Sequence, residues 1–160
     1  MLTQNRLKQV LDYDPHTGVF TRKLKQPGAT IGAVSGSLTR EGYLVTSVDS
    51  KAYKCHRLAW LYMTGEWPEG QIDHMNGNRA DNRFENLRDV SQKHNIENQR
   101  KAQKHNKSSK ALGVCKNGSG FAARIAHNGV KHYLGTFRTV DEASAAYLAA
   151  KRLMHLGCTI

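Results

Sequence analysis

The segment over residues 72–98, IDHMNGNRADNRFENLRDVSQKHNIEN, restricts the fold of this chain more than any other stretch. Its opening Ile-Asp-His is typical of the end of a strand, and the Asn-Gly pair at residues 76–77 predicts a turn directly after it. A loop rich in Asn, Asp and Arg follows, and residues 87–90 predict a second short strand. Ser91 is a candidate N-cap for a helix. The predicted order is therefore strand, loop, strand, helix.

The distribution of charge predicts the kind of partner. The chain carries a net charge of +11, which favours a polyanion, with DNA or RNA the first candidate. A basic protein with no nucleic-acid role is the alternative. Residues 1–55 hold 8 basic and 4 acidic side chains, residues 99–111 hold 5 and none, and residues 112–160 hold 6 and 2. Residues 56–98 hold 5 basic and 7 acidic side chains, so this block suits a metal cation better than a phosphate.

Length and composition restrict the class of protein. A chain of 160 residues suits one compact domain or two small ones. No apolar run approaches the ~20 residues that span a bilayer, and the polar N-terminus does not resemble a signal peptide. The three cysteines are widely separated and form no CxxC pair, which argues against a disulfide framework and a cysteine-rich zinc site. We therefore expect a cytoplasmic protein.

Before the central segment, periodicity and turn signals predict a series of short elements. Trp60 and Trp67 are interpreted as core residues without a chemical role. The predicted elements are a helix over residues 2–11, a strand over 19–22, a loop over 28–36, a hairpin of 43–48 and 52–55 joined around 49–51, and a helix over 57–64 that ends at Gly65.

After the central segment, residues 99–111 contain almost no apolar side chains and predict either a solvated linker or a cationic arm along phosphates. Three strands are then predicted over residues 113–116, 121–127 and 130–137. Asn-Gly pairs at 117–118 and 128–129 mark the turns between them. Thr139 and Glu142 form a capping-box signature at the start of an alanine-rich helix.

The central segment resembles the HNH endonucleases, whose ββα-metal motif has the same order of elements. Counting from the histidine of the Asp-His pair, that family has an Asn 12 residues on and an Asn or His 21 residues on, which here are Asn86 and Asn95. The resemblance implies that Asp73 and Asn95 hold the metal ion, that His74 is the general base, and that Asn86 orients the His74 ring.

The chemistry of phosphodiester hydrolysis fits these residue types. A histidine with a pKa of ~6.5 can accept a proton from water near neutral pH. Mg²⁺ prefers oxygen ligands and commonly takes only one or two carboxylates. We therefore expect one divalent ion, Mg²⁺ or else Mn²⁺, and no small-molecule cofactor. Arg79 and Arg83 of the loop are candidate DNA contacts.

Three alternatives in and before this segment stay open at the level of sequence. His94 could replace Asn95 as the third motif residue, although the spacing favours Asn95. Arg57 could contact phosphate or be structural. A Zn²⁺ site would use residues whose spacing resembles no usual zinc pattern; they are Cys55, His56, His74 and His94.

The C-terminal sequence GVCKNGSGFAARIAHNGVKHYLGTFRTVDEASAAYLAAKRL is similar to the AP2 DNA-binding domain, through its opening Gly-Val, FAARI, YLGTF and the alanine-rich helix with a tyrosine. The resemblance implies a three-stranded sheet laid in the major groove with the helix behind it. Plant members have arginines where Cys115 and Asn117 stand here, so no target sequence is carried over. Strand alternation directs Phe121, Ala123 and Ile125 to the helix, and Ala122, Arg124 and Ala126 outward. The candidate DNA contacts are Arg124, Lys131, Tyr133 and Lys116.

Together these observations predict an α+β protein in two linked modules. Residues 1–99 form an HNH nuclease module with N-terminal β-hairpin support, residues 100–111 a basic linker, and residues 112–160 an AP2-like sheet and helix. The expected function is metal-dependent hydrolysis of double-stranded DNA by a monomer, of the homing or phage type, by nicking or double-strand cutting. A non-catalytic AP2-type DNA-binding regulator is the alternative, and an RNA-directed nuclease is a third interpretation.

Overall fold

A computed structural model of the chain describes residues 1–25, 30–99, 102, 106–155 and 158. The chain divides into two compact units, Met1–Ser91 and Gln92–Ile160. Both combine helices with small antiparallel sheets, which confirms the mixed α and β character predicted from the sequence. Across the described residues, no helix has the length and apolar character needed to cross a membrane.

The first unit contains two helices and three small sheets among its described residues. The sheets pair β1 with β2, order β3-β4-β5, and pair β6 with β7, all antiparallel. The elements are α1 (Gln4–Val10), β1 (Leu11–Asp14), β2 (Val19–Arg22), β3 (Ser37–Leu38), β4 (Leu44–Val48), β5 (Lys51–Lys54), α2 (Cys55–Thr64), β6 (Gln71–His74), a 3-10 turn (Phe84–Asn86) and β7 (Leu87–Val90).

Local sequence signals explain where these elements begin and end. The Thr3 side chain accepts a hydrogen bond from the Arg6 amide and caps α1. Asp49 and Ser50 both have positive φ, of 50° and 64°, as the two-residue turn between β4 and β5 requires. Gly65 ends α2 in the left-handed conformation, and its amide donates to the Leu61 carbonyl.

A single apolar core joins the helices and sheets of the first unit. Leu7, Leu58 and Phe20 are at most 1% exposed within it. Trp60 and Trp67 are partly buried and pack against this core, as predicted. Burial of one such large side chain contributes roughly 1.5–3 kcal/mol, so the short elements are held mainly by their shared core.

The second unit has one helix-backed sheet of three antiparallel strands in the order β10-β9-β8. Its last helix carries the predicted capping box between Thr139 and Glu142. Asn128 and Gly129 turn β9 into β10 with φ of 51° and 80°. The elements are α3 (Gln92–Glu97), β8 (Val114–Asn117), β9 (Gly120–His127), β10 (Val130–Phe137) and α4 (Val140–Met154).

The face of the second unit's sheet that packs on α4 carries the predicted residues. Ala123 and Ile125 are buried there with Tyr147 of the helix, and Phe121 packs against the same cluster. Ala122, predicted to face outward, is fully buried. It pairs with Cys115 on one side and Thr136 on the other, and its methyl group is small enough for such neighbours to cover.

Other differences from the sequence prediction concern short elements. Leu11–Asp14 and Ser37–Leu38 form strands that were not predicted, and α2 begins at Cys55 rather than at residue 57. Of the loop predicted over residues 28–36, residues 28 and 29 lie outside the described residues. So do residues 100, 101 and 103–105 of the basic linker. The functional division at residues 99 and 112 stays a prediction.

The hairpin of β1 and β2 supports the loop between β6 and β7. The Tyr13 hydroxyl donates to the Asn82 carbonyl at 2.7 Å, and the Phe84 amide donates to the Pro15 carbonyl at 3.0 Å. Gly18 has a φ of 74°, and a Cβ there would lie 2.4 Å from the Arg83 nitrogen. The backbone of the loop therefore lies so close to the hairpin that only a glycine fits at position 18.

We expect Gly18→Ala to destabilise the first unit by about 3 kcal/mol, because the methyl group adds a backbone clash to the strain of a positive φ. Gly42→Ala is the matched control: its φ is 86°, but its Cβ would meet nothing within 4 Å. This control should lose about 1 kcal/mol. Urea unfolding followed by tryptophan fluorescence measures both, since Trp60 and Trp67 lie in this unit. Equal losses would contradict the close approach.

Candidate functional site

The β6–β7 hairpin positions the Asp-His pair predicted from the sequence. Asp73 lies opposite Arg88, and His74 lies opposite Leu87. The strand ends at His74, where the Gly77 amide donates to the His74 carbonyl at 2.8 Å. Both side chains of the pair are buried, at 6% and 5% exposed. β6 keeps its register through His74, so the Asp73 carboxylate and the His74 imidazole leave the end of the strand on opposite faces.

The Asp73 side chain is held in place by its cross-strand neighbour. Arg88 donates to Asp73 Oδ2 from Nε at 2.9 Å and from Nη2 at 2.7 Å. Two charge-assisted hydrogen bonds to one oxygen fix the orientation of the group. Loss of Arg88 would remove both of these hydrogen bonds from a buried carboxyl group.

His74 is a neutral imidazole at neutral pH. Burial lowers its pKa below the usual value, while the hydrogen bond to Asn82 and the charges of Asp73 and Asp81 oppose that change. His74 Nε2 lies 3.3 Å from Asn82 Oδ1. Because an amide oxygen can only accept, Nε2 carries the proton, and Nδ1 is the ring atom that can take up another.

Asn86 binds groups of the loop between β6 and β7, whereas the contact with the His74 ring is made by Asn82. Its Oδ1 accepts from the Asn76 amide at 2.9 Å, and its Nδ2 donates to the Asp81 carbonyl at 2.8 Å. Sequence reasoning missed Asn82, which is 1% exposed and touches the His74 ring. Nothing in an asparagine-rich run distinguishes one amide from another; burial does.

The loop arginines differ in their availability to a ligand. Arg83 binds Asp81 through Nε at 2.9 Å and Nη2 at 2.8 Å, and Glu85 through Nη1 at 3.0 Å. Arg83 in turn lowers the pKa of Asp81 to about 2. Arg79 is exposed, donates to the Glu41 carbonyl at 3.0 Å and lies over the Tyr43 ring. Arg79 is therefore better placed than Arg83 to meet a phosphate.

His56 packs against His74 and stays neutral. The two rings meet edge to face, with centroids 5.0 Å apart. His56 Nδ1 is buried without a hydrogen-bond partner among the residues that the structure describes. Burial, followed by the influence of His74 and nearby cations, lowers the pKa of His56 to about 3. Burial also raises the pKa of the neighbouring Cys55 to about 12, so that its thiol stays protonated.

The other candidate residues lie in the second unit. Asn95 is on α3. Arg124 and Tyr133 form a cross-strand pair, and Lys131 pairs with Ala126 on the same face of the sheet. Lys116 pairs with Phe121, on the face that packs against α4. Three of the four predicted sheet contacts therefore share one exposed face, and Lys116 lies on the other.

Comparison with known proteins finds a family that matches the segment containing Asp73 and His74. A family of HNH endonucleases matches residues 53–96. This segment is similar to the HNH endonucleases. The match spans just over a quarter of the chain and includes the predicted motif positions from Asp73 to Asn95. No curated protein and no solved structure matches the chain.

The match indicates a nuclease function, which confirms the sequence prediction at this coarse level. HNH endonucleases act on DNA and usually use a divalent metal ion, as the resemblance implied. The AP2 resemblance of residues 112–160 lies outside the match and stays a prediction.

The low pKa of His56 predicts a specific sensitivity to acid. Below pH ~6.5 the unfolded chain binds a proton at this histidine that the folded chain rejects, so stability falls as the pH drops from 6.5 towards 3. The loss from this group is about 2 kcal/mol at pH 5. His56→Gln removes it, so the variant should lose less stability than the parent between pH 7.5 and pH 5. Urea midpoints from tryptophan fluorescence measure the difference; identical losses would show that His56 is not held neutral.

Proposed function

We propose that the protein is a metal-dependent DNA endonuclease that hydrolyses phosphodiester bonds to 5′-phosphate and 3′-hydroxyl ends. The observation that carries the proposal is the buried Asp73–His74 pair at the end of β6, inside the segment that matches HNH endonucleases. Hydrolysis needs a ligand for the metal ion and a general base. Arg88 fixes the Asp73 carboxyl group for the first, and burial keeps the His74 imidazole neutral for the second.

Each residue of the first unit has a distinct part in this mechanism. Nδ1 of His74 takes a proton from the attacking water, while Asn82 holds the ring through Nε2. The Asp73 carboxyl group lies on the opposite side of the end of β6, and Arg88 holds its Oδ2 in place. Asn86 fixes the conformation of the loop between β6 and β7 by hydrogen bonds with the Asn76 amide and the Asp81 carbonyl.

The donors proposed for the metal ion are oxygen atoms. As the family resemblance implies, Asp73 would offer a carboxyl oxygen and Asn95 an amide oxygen, a set that suits Mg²⁺, with Mn²⁺ as the alternative. When bound, the ion would stabilise the negative charge that develops on the leaving 3′ oxygen. One carboxylate fits a single ion better than a two-metal centre.

The sheet of the second unit is proposed to read DNA, as its resemblance to AP2 domains implies. Arg124, Lys131 and Tyr133 present two cations and a phenol on one exposed face, opposite the helix. Arg124 lies over the Tyr133 ring at 6.0 Å, which restrains its guanidinium. We further propose a homing or phage enzyme that acts as a monomer on double-stranded DNA in the cytoplasm.

The nuclease proposal predicts metal-dependent nicking of a supercoiled plasmid that EDTA abolishes. His74→Ala should reduce the rate by about 10²–10⁴-fold, because the general base is lost, and Asp73→Ala should reduce it at least as strongly. His16→Ala, which alters an exposed histidine of the same unit, is the matched control and should retain activity.

Gel-shift binding of the same DNA distinguishes catalysis from binding in these variants. Lost cleavage with retained binding supports the assignment of Asp73 and His74. Nicking that persists at the parent rate in both variants would remove the catalytic proposal and leave a DNA-binding regulator as the better interpretation.

The proposed reading face predicts a charge effect that depends on the side of the sheet. Lys131→Ala should weaken DNA binding and reduce the slope of log affinity against log salt concentration by roughly one unit, because one phosphate contact is lost. Lys116→Ala removes the same charge from the opposite face and should change the slope much less. Fluorescence anisotropy over a range of salt concentrations measures both slopes. Equal changes would argue against recognition by this face.

A further inference from the structure

Three metal-ligating side chains meet in the second unit, apart from the residues assigned to hydrolysis. One ligand atom from each of Glu97, His127 and His155 lies within 4.8 Å of those of the other two. Glu97 ends α3, His127 ends β9, and His155 follows α4. A pocket opens beside them, with a lining that includes Glu97, Asn128 and His155. Three segments that are distant in sequence thus bring together two imidazoles and one carboxylate.

The hydrogen bond of His155 determines which ring nitrogen is available. Nε2 of His155 lies 2.9 Å from the Ala126 carbonyl, which can only accept, so Nε2 carries the proton. Nδ1 therefore presents a lone pair. It is buried and has no hydrogen-bond partner among the described residues. A ligating histidine in a metal site typically donates its other ring N–H to a carbonyl in this way.

His127 presents a second buried nitrogen without a partner. Its Nδ1 is also unmatched by any hydrogen bond within the described part of the chain. The His127 and His155 rings are stacked, with centroids 5.9 Å apart. Nε2 of His127 faces the exposed Asn128 amide at 2.9 Å. Rotation of that amide, with release of exposed Lys93 from Asn128 Oδ1, lets Nε2 donate and leaves Nδ1 to coordinate.

The burial of these groups favours a bound cation. An unsatisfied buried polar atom costs roughly 1–3 kcal/mol, and here two nitrogens of this kind lie beside one another. Glu97 is 6% exposed and brings a carboxyl oxygen to the same point. Coordination of one ion would satisfy both nitrogens.

We propose that Glu97, His127 and His155 form a binding site for a divalent transition-metal ion, of which Zn²⁺ is the best fit. Two imidazole nitrogens and a carboxylate are donors that zinc accepts, whereas Mg²⁺ prefers oxygen donors alone. Tetrahedral coordination at ~2.1 Å brings ligand atoms to ~3.4 Å from one another, a shift that side-chain rotation can supply. The fourth position is left for water or another ligand. The ion would fasten α3 and the end of α4 to the sheet.

The test is Zn²⁺ binding by the full-length, untagged chain, in excess Mg²⁺ so that oxygen-donor sites are filled. Isothermal titration calorimetry should find one tight site per chain, and Co²⁺ should give the visible absorption of a tetrahedral centre. Removal of a partner behind a ligand costs roughly 10–100-fold in affinity, so His127→Ala or His155→Ala should weaken binding by more than about 100-fold. Glu97→Gln should weaken it as well.

Two sets of control variants locate the ion. His132→Ala changes another histidine of the same sheet and should leave the Zn²⁺ affinity unchanged, as should Asp73→Ala and His74→Ala. Circular dichroism of each variant before titration shows that it is folded. Hydrogen exchange gives an independent readout: Zn²⁺ should protect residues 92–97 in the parent and not in His155→Ala. Parent-like Zn²⁺ affinity in both His127→Ala and His155→Ala, loss of affinity only in the Asp73 or His74 variants, or no binding by the parent would each overturn the proposal.

Discussion

The hydrogen bond from the Tyr13 hydroxyl to the Asn82 carbonyl is the contact that positions the loop between β6 and β7. It joins a hairpin near the N-terminus to a loop that lies 69 residues later in the chain. The Asn82 side chain in turn contacts the His74 ring, so buried Tyr13 positions the His74 imidazole through Asn82. The aromatic stacking of Tyr13 on Phe20, with centroids 4.6 Å apart, keeps that hydroxyl in place.

Burial also determines the charge state of the groups around the proposed nuclease centre. Desolvation keeps His56 and His74 neutral, and Arg88 lies against the Asp73 carboxyl group. Histidines with perturbed pKa values of this kind are typical of sites that move protons. The two proposed ion sites differ in donor chemistry. The Asp73 site offers oxygen atoms, which suit Mg²⁺, whereas the site at Glu97 includes two imidazole nitrogens, which suit Zn²⁺.

Local signals in the sequence predicted most of the secondary structure. The Asn-Gly pair at residues 128–129, the capping box at Thr139 and the glycine at position 65 each act over a few residues, and the structure has the expected element at each. Strand Leu11–Asp14 was missed because its alternation of buried and exposed residues spans only four positions and the strand depends on pairing with Val19–Arg22. The family similarity followed from spacing, which is also a property of the chain alone.

The sequence by itself determined the turns, the caps, the Asp-His pair and the excess of positive charge, because each depends on neighbours along the chain. Only the tertiary structure decided that Asn82 contacts His74 and that Lys116 lies on the helix side of its sheet. It also brought Glu97, His127 and His155 together from three separate segments. Contacts of this kind depend on packing between distant parts of the chain, and no local pattern encodes which polar side chains that packing will bury together.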